Sequence, residues 1–150
     1  MALKPDRIET LTDVSFFMNT TGVRGGVVSA LTSGSGVSMD DANGVVSYAA
    51  NPSGALPLGI LLNDVVNLDL TRQHINWHKD EVQVGGKVTL LRVGQVTTDR
   101  VTGTPSAGSG AYVGANGLIS TEATGTAVKI GSFLSSVDSD GYAKVSVNIQ

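Results

Sequence analysis

His74 and His78 are the only histidines in the chain, four residues apart in His74-Ile75-Asn76-Trp77-His78-Lys79-Asp80-Glu81. That spacing puts both imidazoles on one face of a strand or a helix, which a metal pair requires. Asp80 or Glu81 would have to supply a third ligand. The segment around Trp77 is charged, so it reads instead as a solvated polar stretch covering an aromatic side chain. Nucleophilic chemistry has less to work with. There is no cysteine and no Gly-x-Ser-x-Gly elbow, and the serines cluster in Gly/Ser loops where no general base is suggested. Gly34-Ser35-Gly36 and Gly108-Ser109-Gly110 resemble fragments of phosphate loops, but neither precedes a helix whose N-terminus would hold an anion. Asp138-Ser139-Asp140-Gly141 begins like a calcium loop and lacks the later acidic ligand, which leaves a hairpin turn. The paired acids Asp40-Asp41 and Asp80-Glu81 are of the kind usually found solvated on loops. The residues therefore predict no catalytic group, no cofactor and no metal, and a protein that is not an enzyme.

Composition narrows the class further. A chain of 150 residues is the common size of one domain, large enough to bury a core without disulfides or metal staples. With 41% apolar and 15% charged residues it is a folding chain whose surface must be built largely from Ser, Thr, Asn and Gly. A net charge of −3 offers no footprint for phosphate backbones, which argues against nucleic acid as a partner. The most apolar stretch, Leu56-Pro57-Leu58-Gly59-Ile60-Leu61-Leu62, is far shorter than a bilayer needs, and Met1 to Pro5 leads into charge rather than an apolar signal core. The expectation is synthesis in the cytoplasm and no membrane association.

The chain repeats a glycine-punctuated β pattern. Gly25-Gly26-Val27-Val28-Ser29 is answered by Gly85-Gly86-Lys87-Val88-Thr89, Asn43-Gly44-Val45-Val46-Ser47 by Asn116-Gly117-Leu118-Ile119-Ser120, and Gly59-Ile60-Leu61-Leu62 by Gly131-Ser132-Phe133-Leu134. Two such units are too few for a solenoid and close on each other as a β-sandwich or barrel. The second copy carries extra residues near Thr102 to Gly110, which read, like Ser33 to Gly36, as an exposed mobile loop. Asn43-Gly44, Asn116-Gly117 and Asp140-Gly141 are two-residue hairpin pairs. Val145 to Ile149 alternates as a half-buried strand, as do Leu68-Asp69-Leu70 and Ile75-Asn76-Trp77, while Leu58–Leu62 and Val88–Val93 suit strands buried on both faces. Residues 1–21 differ: they hold no glycine before position 22, carry charges of both signs and cluster two phenylalanines in Val14-Ser15-Phe16-Phe17-Met18. They are expected to form an extended N-terminal arm ahead of a single β domain over 22–150. Lys4, Arg7, Phe16 and Phe17 are its candidate contacts to a partner or a second subunit, mattering more for attachment than for folding.

Ala111-Tyr112-Val113-Gly114-Ala115-Asn116-Gly117-Leu118-Ile119-Ser120, with Gly125, Val128, Gly131-Ser132-Phe133-Leu134 and Asp140-Gly141-Tyr142-Ala143-Lys144-Val145, resembles the C-terminal half of small capsid decoration proteins of tailed bacteriophages. The opening Met1-Ala2-Leu3-Lys4-Pro5-Asp6-Arg7, with Ser15-Phe16-Phe17-Met18 and Leu61-Leu62-Asn63-Asp64-Val65-Val66-Asn67, is most similar to versions carried by podoviruses of cyanobacteria. The resemblance implies a cement protein on the outer surface of an icosahedral head, often a homotrimer, that bridges neighbouring major capsid subunits and has no catalytic residues. A reading from another class is a carbohydrate-binding or adhesive β domain. It would need exposed aromatics, and Trp77, Tyr48, Tyr112 and Tyr142 are few for a sugar platform.

A metal-free protein has a direct check: the thermal midpoint should be the same with and without EDTA. A transition metal bound stoichiometrically by His74 and His78 in the purified protein would contradict this.

Overall fold

The computed structural model describes residues 3–4, 6–18, 23–31, 45–48, 51–54, 56–62, 81–82 and 87–149. His74, His78, Trp77, Asn43-Gly44, Gly85-Gly86, Ser33 to Gly36 and the alternating segment at Leu68 to Leu70 lie outside them. The protein is all-β, a curled sheet of the barrel or sandwich kind with almost no helix. In chain order the strands are β1 (Ile8–Asp13), β2 (Phe17–Met18), β3 (Val23–Arg24), β4 (Val28–Leu31), β5 (Val45–Tyr48), β6 (Pro57–Leu61), β7 (Glu81–Val82), β8 (Leu90–Thr98), β9 (Val101–Thr102), β10 (Gly110–Val113), β11 (Ile119–Ser120), β12 (Lys129–Phe133) and β13 (Ala143–Asn148). Among the described residues, β3 and β7 pair with each other and all other strands join one sheet.

Two units of that sheet share one pairing scheme. In the first, β4 pairs antiparallel with β5 and β6, and β2 runs parallel to β5. In the second, β10 pairs antiparallel with β11 and β12, and β9 runs parallel to β11. Even the irregularities match. The β4–β6 ladder slips after Ser29↔Gly59 and the β10–β12 ladder after Ala111↔Gly131. The long strand β8 ends the first unit, pairing with β6, and opens the second, pairing with β13. Each unit curls back on itself through the chain: β2 follows β1, which lies along β8, and β9 follows β8, which lies along β13. The two bends are made alike. Asp13 Oδ1 accepts from the Ser15 N–H at 2.8 Å, and Thr98 Oγ1 accepts from the Arg100 N–H at 3.0 Å.

The sequence alignment of the units is right at Ser47/Ser120 and Gly59/Gly131 and wrong at the double glycine. The counterpart of Gly26 is Gly108. Both have positive φ, 83° and 91°. The Gly26 N–H donates to the Leu61 carbonyl and the Gly108 N–H to the Phe133 carbonyl, each at 2.8 Å, and the N–H groups of Leu61 and Phe133 donate back to Val27 and Ser109. The stretch after Gly85-Gly86 leads into β8, which is the last strand of the first unit and the first strand of the second. Residues 102–110 are not a free loop throughout. They are mostly exposed, but Pro105 is buried and Ser109 is stitched to Ser106 and Phe133. Of the hairpin pairs, Asn116 and Gly117 both take positive φ, 57° and 75°, closing a turn in which Leu118 N–H donates to Ala115. At Asp140-Gly141 only Gly141 does (89°), so that hairpin is a longer loop: Gly141 N–H returns to the Asp138 carbonyl and Asp138 N–H pairs with Tyr142.

The larger core gathers Phe133, Ile130, Ile119, Val113, Val145, Val147 and Val96 from the second unit, with Val28, Ile60, Leu62 and Leu91 from the outward side of the first. The smaller core, inside the first unit, holds Val27, Leu61, Val88 and Leu90, with Phe16 and Leu58 against it. The adjacent leucines 90 and 91 are both fully buried and serve different cores, as a strand covered on both faces allows.

The N-terminal segment is extended, but it is not separate from this architecture. β1 pairs with β8 from Ile8↔Gln95 to Asp13↔Leu90, Leu3 is 3% exposed within the larger core, and the Lys4 N–H donates to Thr97. A boundary at residue 21 therefore cuts through a sheet and two cores. Leu3→Ala should lower unfolding free energy by about 2–3 kcal/mol, read by chemical denaturation. A chain beginning at residue 20 should show no cooperative transition. A truncated chain melting near the full-length midpoint would refute that.

Candidate functional site

The four residues singled out as partner contacts fall into two groups. Lys4 and Phe16 are engaged within the molecule. The Lys4 ammonium reaches Asp138 Oδ2 at 3.0 Å and lies 4.6 Å from the centre of the Tyr142 ring. Phe16 is half-buried against the smaller core, and its carbonyl accepts from the Val88 N–H at 3.1 Å. Arg7 is exposed and pairs locally with Glu9 at 2.6 Å. Phe17 is placed by its backbone, which pairs with Val45, and its side chain lies outside the described residues.

What the sequence reading missed is the outward face of β1. Ile8, Leu11 and Val14 are 54%, 45% and 54% exposed, a concentration of large apolar side chains on one short segment. Among the described residues β1 has a single strand partner, β8, so the other side of its backbone is an open sheet edge. The signal was present in Ile8-Glu9-Thr10-Leu11-Thr12-Asp13-Val14, whose apolar residues recur at intervals of three. That spacing conceals a strand, because it does not alternate. The register shifts at Thr10 and between Leu11 and Thr12 explain how a strand carries it.

Among the described residues the aromatic side chains do not assemble into a platform. Lys4 covers one face of Tyr142, and the Tyr112 ring folds back over Gly110, where an added Cβ would meet it at 2.9 Å. The Tyr48 side chain and Trp77 are outside the described residues. Among the described residues no three His, Cys, Asp or Glu side chains converge as metal ligands. Asp138 and Asp140, the start of the calcium-like motif, shape a turn: Asp138 Oδ1 accepts from the N–H groups of Asp140 and Tyr142, each at 2.9 Å.

The same hydrogen bonds set the titration of Asp138. The Tyr142 N–H is the largest influence holding its carboxyl below the ordinary 3.8, followed by the Lys4 ammonium. A carboxyl depressed on folding stabilises the fold above its unfolded value, and the contribution is lost as pH falls through the folded one. The clasp between Lys4 and Asp138 should therefore hold at neutral pH and release only below about pH 4. In Lys4→Met, a carboxyl-detected NMR titration should place Asp138 higher than in the parent but still below 3.8, because the backbone donors remain. An unchanged midpoint would remove Lys4 from the account.

Compared with protein-family models and with curated proteins, the chain matches none, so the functional reading rests on its own residues.

Proposed function

We propose that the protein is a structural component of a virion, a decoration protein that binds the outer surface of an icosahedral phage head and cements neighbouring major capsid subunits. The docking half of the reading is carried by β1, an edge strand with Ile8, Leu11 and Val14 turned to solvent. An open backbone edge with apolar side chains is suited to adding a partner's strand, the main-chain bonds giving affinity and the side chains register. The capsid half is carried by the resemblance along the chain, and a self-associated form such as a trimer belongs to that half. A surface of Ser, Thr, Asn and Gly with few charges suits wet, adaptable contacts repeated over a lattice, where many modest bridges sum.

The arm hypothesis changes in content. Lys4 and Phe16 hold β1 in place, and Arg7 with the exposed apolar residues is left to meet the partner.

Purified particles should contain the protein at a fixed ratio to the major capsid protein, measured by quantitative mass spectrometry. Leu11→Asp, at an exposed position, should leave the thermal midpoint nearly unchanged, within about 0.5 kcal/mol of stability, and abolish attachment. Absence from particles, or undiminished attachment of Leu11→Asp, would refute the proposal.

A further inference from the structure

Where the two units meet, equivalent loops touch reciprocally. Ser53 Oγ and Thr126 Oγ1 lie 3.1 Å apart, the Gly54 N–H donates to Thr126 Oγ1 at 3.0 Å, and the Thr126 N–H donates to Ser53 Oγ at 3.3 Å. Counting back from the matched Gly59 and Gly131, the next apolar positions, Leu56 and Val128, are also equivalents. They stand 63% and 42% exposed and line a groove of about 400 Å³, walled further by Leu58 and Ile149. Among the described residues two cations line it, Arg92 and Lys129, and no acidic residue does.

Lys129 makes no ion pair among the described residues, and the Arg92 Nε–H is buried without an acceptor. Asp13 feels the Arg92 charge, while its Oδ1 accepts from the N–H and hydroxyl of Ser15. A carboxylate is the group that pairs best with a guanidinium or an ammonium.

We propose that this groove docks an extended segment of a partner protein in which apolar and acidic side chains alternate. The apolar side chains pack against Leu56 and Val128, and the carboxylates meet Arg92 and Lys129. The groove is half open to solvent, which suits a peptide rather than an enclosed lipid chain. The proposal names a chemistry and not a protein, so it stands independently of the capsid reading.

The test is a titration of the full chain by amide NMR with a short capped peptide alternating leucine and aspartate, and with its leucine–lysine counterpart. The acidic peptide should shift the amides of Leu56, Arg92, Val128, Lys129 and Ile149 saturably, and the basic one should not. Lys129→Gln, at an exposed position, should keep the thermal midpoint and weaken the acidic peptide about tenfold. Equal response to both peptides, no saturable response, or decanoate binding where the acidic peptide does not would overturn the proposal. So would groove shifts that grow with protein concentration alone, which would assign the groove to a second copy.

Discussion

The fold depends on one strand meeting conflicting demands. β8 carries β1 along one edge, while β6 and then β13 occupy successive stretches of the other. The Thr89 carbonyl accepts from Leu62, beside β6, and the Arg92 carbonyl from Ile149, at the end of β13. In a regular strand, backbone groups return to the same edge every second residue, so positions three apart cannot both face it. The slip at Arg92, skipped in the β1 ladder between Leu91 and Val93, supplies the extra residue. The bulge is thus what lets one strand close two units. It also ties them energetically, since loss of either unit strips partners from a strand the other needs, and unfolding in a single transition is the natural consequence.

Close approach of neighbouring strands imposes the second constraint, and glycine meets it. A Cβ on Gly94 would run into the Ile8 carbonyl where β1 lies on β8, and one on Gly131 into the Ser146 carbonyl where β12 lies on β13. At Gly59 it would come within 2.7 Å of the Leu91 carbonyl, where β6 lies on β8. Gly59 and Gly131 are equivalents, so the same crowding recurs in both units and accounts for one of the matches visible in the sequence.

The parts legible in the sequence were those whose physics is local. Asn116-Gly117 announces its turn because both residues must take positive φ, and Val145-Ser146-Val147 announces β13 because alternate side chains are buried. Leu58 to Leu62 and Val88 to Val93 were readable as strands covered on both faces for the same reason. The misreadings came from relations that no window of sequence contains. Gly26 finds its counterpart in Gly108 through hydrogen bonds to Leu61 and Phe133, whereas the second double glycine leads into β8, the last strand of the first unit and the first strand of the second. The arm was misjudged likewise. Charge and the absence of glycine set it apart in composition, whereas Leu3 and Phe16 bind it to the two cores by contacts far along the chain. Of the candidate contacts, Lys4 was visible as a charge, but Asp138, its partner 134 residues away, was not.

The repeat also explains why β1 is the side to which a partner is assigned. In the second unit the last strand, β13, is flanked by that unit's first strand, β8; in the first unit the last strand, β8, is flanked by β1. The rule runs from β13 to β8 to β1 and there it stops, because no described strand precedes β1 to cover it as it covers β8. Among the described residues the outer edge of β1 therefore carries no strand, with Ile8, Leu11 and Val14 exposed along and just beyond it. Lys4 and Leu3 anchor one end of β1 and Phe16 follows the other, so the edge is held rigid before any partner arrives. An edge ordered in advance loses less entropy on binding than a free arm would, so modest contacts suffice for the docking proposed for it.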